Sequence, residues 1–306
     1  MEKYVTPRII KYKDVDNLLR KNKSHTLFDS EEKNLSISNL VLEEFVCIVG
    51  EPGIGKTRLV NEIKKYISEE KTFICKASEF SFVHKETEYC IIDALDEVEG
   101  SVFYNTLQSI KQYKEEHHET KVLFTCRKHY VTSYAKHFNS CKDLLYVEIC
   151  RLKEEEVIRI LDNHCTEKIK ENVSKSPKLR ELLTIPRYLE FLLEYKNFTD
   201  DISNISELFE LIIKNSIQKA IEKRKENTNS ENIKILIQRV LEKVAFIMEI
   251  SRKDQISKDE LYTILDGVKG NMAQMLIANF DILFFESRIL KDTNGILQFE
   301  NTELQE

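Results

Sequence analysis

Gly50, Gly53, Gly55, Lys56 and Thr57 stand at the spacing G-x-x-x-x-G-K-T, in the run GEPGIGKT at residues 50–57. Glycines at these intervals let a backbone curl until successive N–H groups point inward, which is the geometry that cradles phosphate oxygens. A lysine after the last glycine reaches β- and γ-phosphates, and the hydroxyl of the next residue ligates Mg²⁺. The chemistry expected of these residues is therefore the binding of a nucleoside triphosphate with its metal. Glu51, Pro52 and Ile54 inside the run and Arg58 just beyond it count as binding residues with the glycines, Lys56 and Thr57. Three of only seven glycines in the chain fall within these eight residues, so the spacing is not a by-product of a glycine-rich composition.

Two further clusters supply what such a site lacks. The run YCIIDALDE at residues 89–97 is an apolar strand that ends in Asp93, whose carboxylate would hold Mg²⁺ beside the loop. Asp96 and Glu97 follow within one turn, placed to orient or deprotonate an attacking water, with Asp96 preferred and Glu97 as the alternative. KVLFTCR at 121–127 then ends in Thr125 and Arg127. A guanidinium there offers a planar fork of donors to a γ-phosphate, although a lone arginine after a strand also serves as an ordinary salt-bridge partner. His117 and His118 lack a third ligand at useful spacing and read as a solvated helix end.

These residues need a scaffold that ends its strands at one edge. EEFVCIV before the loop reads as a buried strand, and Leu59, Ile63 and Ile67 after it recur at helical spacing, so the loop joins strand to helix. Further strand-like runs occur at 72–75, 88–93, 121–126 and 144–149, with helical stretches such as 101–115 and 127–138 between them. Five strands interleaved with helices predict an α/β domain with a parallel sheet and helices on its faces, and a ligand site at the carboxyl ends of the strands. After Arg151 the pattern turns helical through about Met248, with long helices near 205–224 and 231–250 separated by a solvated loop at 223–232. From Ser257 a helix, a second helix near 271–280 and two strand-like runs around Asn294-Gly295 predict a winged helix. The expected division is an N-terminal segment 1–42, a nucleotide-binding domain 43–151, a helical domain 152–252 and a winged-helix domain 253–306.

Composition narrows the class. The 306 residues are 42% hydrophobic and 32% charged, ordinary for a soluble globular protein with an ample core. A net charge of −6 argues against a protein that coats nucleic acid. Seven cysteines without a C-x-x-C pair read as reduced core residues of a cytoplasmic protein, and no apolar run is long enough for a signal core or a membrane span.

Taken in order, GEPGIGKT, IIDALDE, FTCR, the proline of TIPRYLEFLL and the terminal ILQFENTELQE resemble the STAND class of signalling ATPases, in particular its NACHT-type members, over residues 40–306. The resemblance implies ATP or ADP as ligand, Mg²⁺ on Asp93, a catalytic acid at Asp96 or Glu97, and a sensor at Arg127. It implies that Pro186 packs on the adenine and that Pro7, Arg8 and Ile9 close over the base. In many members a histidine in F-x-H-x-x-x-x-E contacts the β-phosphate of ADP; here Phe299 and Glu306 fit and Asn301 takes the middle place. An amide still donates a hydrogen bond but carries no charge, so locking through Asn301 would be weaker. The resemblance further implies a slow ATPase used as a switch, in antiviral or innate immune defence. ADP would hold a closed monomer and ATP would permit self-association through the nucleotide-binding domain. The trigger would be an unknown ligand sensed by a region beyond Glu306, since the sequence stops inside an expected helix and is read as truncated. The chief alternative is an AAA-type ATPase with a winged helix that acts on nucleic acid; against it, NMAQMLIANF at 271–280 holds no Lys or Arg for phosphate contact. A nucleotide-binding scaffold without hydrolysis is the third reading.

Overall fold

A computed structural model describes residues 7–20, 35–80, 87–98, 100–195, 202–223, 230–251, 253, 255–266, 290–293 and 296–299. The chain divides into two compact units, 1–164 with 180–190, and 165–179 with 191–306.

The first unit is built on a six-stranded sheet. Its strands are β1 (Ile9–Tyr12), β2 (Phe45–Gly50), β3 (Thr72–Lys76), β4 (Tyr89–Asp93), β5 (Lys121–Arg127) and β6 (Leu145–Ile149), in the spatial order β1-β6-β2-β5-β4-β3. Strands β2 to β6 are mutually parallel, as five runs of strand type interleaved with helices require. The sixth strand corrects the all-parallel expectation: β1 runs antiparallel along β6, with Ile9 opposite Ile149 and Tyr12 opposite Tyr146.

Each central strand is buried on both faces, which is why its sequence is continuously apolar rather than alternating. The period of two still sorts the side chains. Phe45, Cys47 and Val49 of β2 join one core with Cys90, Ile92, Phe124 and Tyr146, while Val46 and Ile48 join the opposite core with Ile91, Leu123 and Val147. Helix α4 (Gly100–Glu116) closes the first face with Phe103, Leu107, Ile110 and Tyr113. The short helix α1 (Val15–Arg20) adds Val15 and Leu18 to that core. Helices α2 (Ile37–Leu40) and α3 (Lys56–Ile63) close the other face with Ile37, Leu40, Leu59, Val60 and Ile63. The stretch expected as one helix at 127–138 is two, α5 (Lys128–Ser133) and α6 (Ala135–Phe138), broken where Tyr134 leaves helical geometry at φ −107°, ψ 24°. Beyond β6 come α7 (Glu154–His164), α8 (Glu167–Lys175), α9 (Pro177–Leu183) and α10 (Pro186–Tyr195).

The second unit contains the long helices α11 (Ile205–Lys223) and α12 (Ser230–Ile250), then β7 (Ile256–Ser257), α13 (Lys258–Asp266), β8 (Leu290–Thr293) and β9 (Ile296–Phe299). Residues 230–232, expected in a loop, are the first turn of α12. Ser257 starts α13 with reciprocal bonds: its Oγ accepts the Glu260 N–H at 3.1 Å and its own N–H donates to the Glu260 carboxylate at 2.8 Å. The three strands form an antiparallel sheet in the order β7-β9-β8. Leu290, Leu297 and Phe299 pack there with Val240, Val244 and Met248 of α12. The expected helix at 271–280, the turn at 294–295 and the positions of Asn301 and Glu306 lie outside the described residues. Among the described residues no helix is long and apolar enough to cross a membrane.

Candidate functional site

The site forms where β2, β4 and β5 end side by side. Strand β5 lies between the other two, so Gly50 stands opposite Arg127 and Ile92 opposite Phe124, which brings Asp93 level with Thr125. The loop after β2 is pinned by Ile54, which is 2% exposed and turned into the core. A Cβ on Gly50 would lie 2.6 Å from Ile54 Cγ2, closer than two carbons tolerate, so this position requires glycine. Gly55 takes φ +105° to turn the loop into α3, a region that side chains other than glycine enter at a cost. The turn from strand to helix that the spacing predicts is formed.

Lys56 folds back over the loop, its ammonium donating to the carbonyl oxygens of Gly50 at 3.0 Å and Glu51 at 3.1 Å. Burial lowers its pKa, with Asp96 working against that shift and Arg127 reinforcing it. A desolvated ammonium gains more from a polyanion than one already in water. The Thr57 hydroxyl donates to one Asp93 oxygen at 2.9 Å. The other Asp93 oxygen accepts from the hydroxyl of the fully buried Thr125 at 2.5 Å. Hydroxyl and carboxylate together are a hard-oxygen donor pair suited to Mg²⁺, so Thr57 and Asp93 fit the metal that the loop implies.

Thr125 does more than the sequence suggested. Its oxygen also accepts the Ala94 N–H at 2.7 Å, supporting Ala94 at φ 62° on the turn out of β4. Thr125→Val keeps the shape and deletes both bonds. The expected loss is about 1–3 kcal/mol of stability, read from thermal unfolding. Unchanged stability would show that the turn holds itself.

Asp96 and Arg127 form a closed pair. The Asp96 carboxylate, whose side chain is 4% exposed, pairs with the Arg127 guanidinium, Nε lying 2.8 Å away, and accepts the Arg127 main-chain N–H at 2.9 Å. Glu97 is half-buried in the same short turn, Leu95–Glu97. Next to this pair, burial and then the Arg127 charge lower the pKa of His129 and favour its neutral form.

Other predicted residues border the loop. Pro186 begins α10, and the adjacent Arg187 N–H donates to the Gly53 carbonyl at 3.3 Å, so the first turn of this helix sits against the loop. Arg58 pairs with Glu190 on the same helix. Pro52 is half-buried and Arg8 exposed, with its carbonyl accepting the Cys150 N–H at 2.9 Å. Ile9 is 1% exposed and belongs to the core beside Ile149. Asn301 lies outside the described residues. His117 packs its ring on Tyr113 at 4.5 Å. Arg151, missed in the sequence, binds the Glu51 carboxylate; no local pattern marks it, because its partner is a hundred positions away.

The family model "Novel STAND NTPase 3" matches residues 30–167, the stretch that carries the loop, Asp93, Asp96 and Arg127. Residues 30–167 thus match a STAND-class P-loop NTPase domain. No curated protein matches the chain. Among solved structures, the Thermotoga maritima RuvB Holliday junction branch migration motor is 15% identical, with 85% of each chain covered and a TM-score of 0.32. A Walker-type ATPase of Pyrococcus abyssi is 12% identical over 91% of this chain and 95% of its own, at 0.38. The Aeropyrum pernix ORC1 protein, solved in complex with DNA, is 12% identical over 97% of this chain and 95% of its own, at 0.37. At these scores the likenesses say nothing about what the STAND domain acts on.

Proposed function

We propose that the protein is a nucleotide-controlled switch: a NACHT-type STAND ATPase that binds ATP or ADP with Mg²⁺, hydrolyses ATP slowly, and self-associates according to the nucleotide held. The observation that carries the reading is the convergence of Lys56, Thr57, Asp93 and Arg127 at one edge of the sheet, around a loop that only glycine permits at Gly50. Loop amides, the α3 N-terminus and Lys56 would take the phosphates. Thr57 and Asp93 would hold Mg²⁺, which offsets charge on the β- and γ-phosphate oxygens.

Arg127 would sense the γ-phosphate, and its pairing with Asp96 suggests how the two neighbouring acids divide their work. Asp96 aims Arg127, and Glu97 orients the attacking water, the reverse of the order preferred from spacing alone. The start of α10 beside Gly53 supports Pro186 as a neighbour of the base, while the burial of Ile9 leaves Arg8 as the nearer candidate of that pair. The antiparallel sheet with α13 supports the winged helix, and Phe299, 6% exposed in that core, anchors the strand that leads to Asn301. A cytoplasmic place, an unidentified trigger ligand, and a role in antiviral or innate immune defence complete the proposal, with no membrane or nucleic acid as partner.

Assembly state tests it. Light scattering of the intact protein under MgATP and trigger should show oligomers for the wild type and monomers for Lys56→Ala. Equal assembly by both would remove the switch.

A further inference from the structure

Arg151 follows β6 by two residues and reaches across to the phosphate loop. Its Nε donates to Glu51 Oε2 at 2.8 Å and its Nη2 lies 2.7 Å from the same oxygen. The remaining Nη1 lies 3.7 Å from Glu181 of α9. Glu51 is the first residue after Gly50, and its carbonyl is one of the two that hold the Lys56 ammonium. One residue thus carries a negative charge into a loop built for anions and also sets an acceptor for the phosphate-binding lysine.

We propose that Arg151 is a positioning residue of the nucleotide site, neutralising Glu51 and fixing its peptide so that the loop can accept a polyphosphate. The inference rests on the nucleotide-binding reading above. A bare carboxylate at Glu51 would repel phosphate oxygens through a boundary that solvent screens only partly, since both side chains are about two-fifths exposed. The guanidinium removes that charge, and its planar edge fixes the orientation of the carboxylate in a way that an ammonium does not. Glu181, 3.7 Å from the third nitrogen, sets a second carboxylate beside the pair, on the segment 180–190 that also meets Gly53 through Arg187. Arg151 need not touch the nucleotide for this effect.

The test is titration of a fluorescent ADP analogue into the wild type, Arg151→Gln, Arg151→Lys and the double variant Glu51→Gln/Arg151→Gln, each first checked by thermal unfolding without nucleotide. Arg151→Gln should weaken binding about tenfold, the size of one uncompensated charge at partly screened range. Arg151→Lys should recover part of the loss by restoring charge without the fork. The double variant should recover most of it, because the carboxylate that needed neutralising is gone. A purely structural arginine would not be rescued by deleting its partner. If the wild type binds no nucleotide, the nucleotide reading itself fails. Wild-type binding with Arg151→Gln equally tight would overturn the role of Arg151 alone. A double variant as weak as Arg151→Gln would overturn neutralisation of Glu51 as the role of Arg151.

Discussion

Lys56→Ala should weaken nucleotide binding about thirty- to 150-fold, the worth of a charge-assisted hydrogen-bond donor of roughly 2–3 kcal/mol. The loss is expected at this large end because the ammonium is largely buried and hydrogen-bonded to loop carbonyls. In the folded protein the same lysine bridges carbonyl oxygens of Gly50 and Glu51, and its removal should leave the thermal midpoint within about a degree or two. Calorimetric titration with ADP and a melting curve on the same sample separate the effects. A variant that melts like the wild type and binds as tightly would take Lys56 out of the site.

Asp96→Ala should damage both stability and turnover. Its carboxylate is almost wholly enclosed and satisfies both the Arg127 main-chain N–H and the guanidinium. Truncation leaves a guanidinium that is 29% exposed without this counter-charge. Loss of one partner of a fully buried pair costs about 3–5 kcal/mol, and the exposure of Arg127 brings the expectation to about 2–3 kcal/mol. Turnover should fall about a hundredfold or more, as it does when one preorganised electrostatic donor loses its aim. Glu97→Gln is the informative companion. If Glu97 orients the attacking water, its amide variant should lose comparable turnover in phosphate release while unfolding like the wild type. Full turnover in Glu97→Gln with total loss in Asp96→Asn would return the base to Asp96.

Local geometry was legible in the sequence. GEPGIGKT marks its own turn because Gly50 and Gly55 answer constraints within a few residues, and the buried strands announce themselves because two covered faces demand an unbroken apolar run. Pairing across distance stayed hidden. Strand β1 is four residues, IIKY, whose direction depends on the edge of β6 rather than on anything in its own pattern. Arg151 looked like a boundary because its partner Glu51 belongs to another strand end. Thr125 was visible as a polar residue at a strand terminus, but not as the hydroxyl that holds Asp93 and the Ala94 turn together, since that depends on β5 lying against β4. The pairing of Arg127 with Asp96 is likewise a contact between two strand ends, which spacing cannot report.

Equilibrium titration of the wild-type protein with ATP, with and without Mg²⁺, tests most directly whether residues 50–57 and Asp93 form a nucleotide site. Saturable binding that tightens with Mg²⁺, and that loses this Mg²⁺ dependence in Asp93→Ala, is the expected result. No saturable binding, or binding indifferent to both the metal and Asp93, would contradict it.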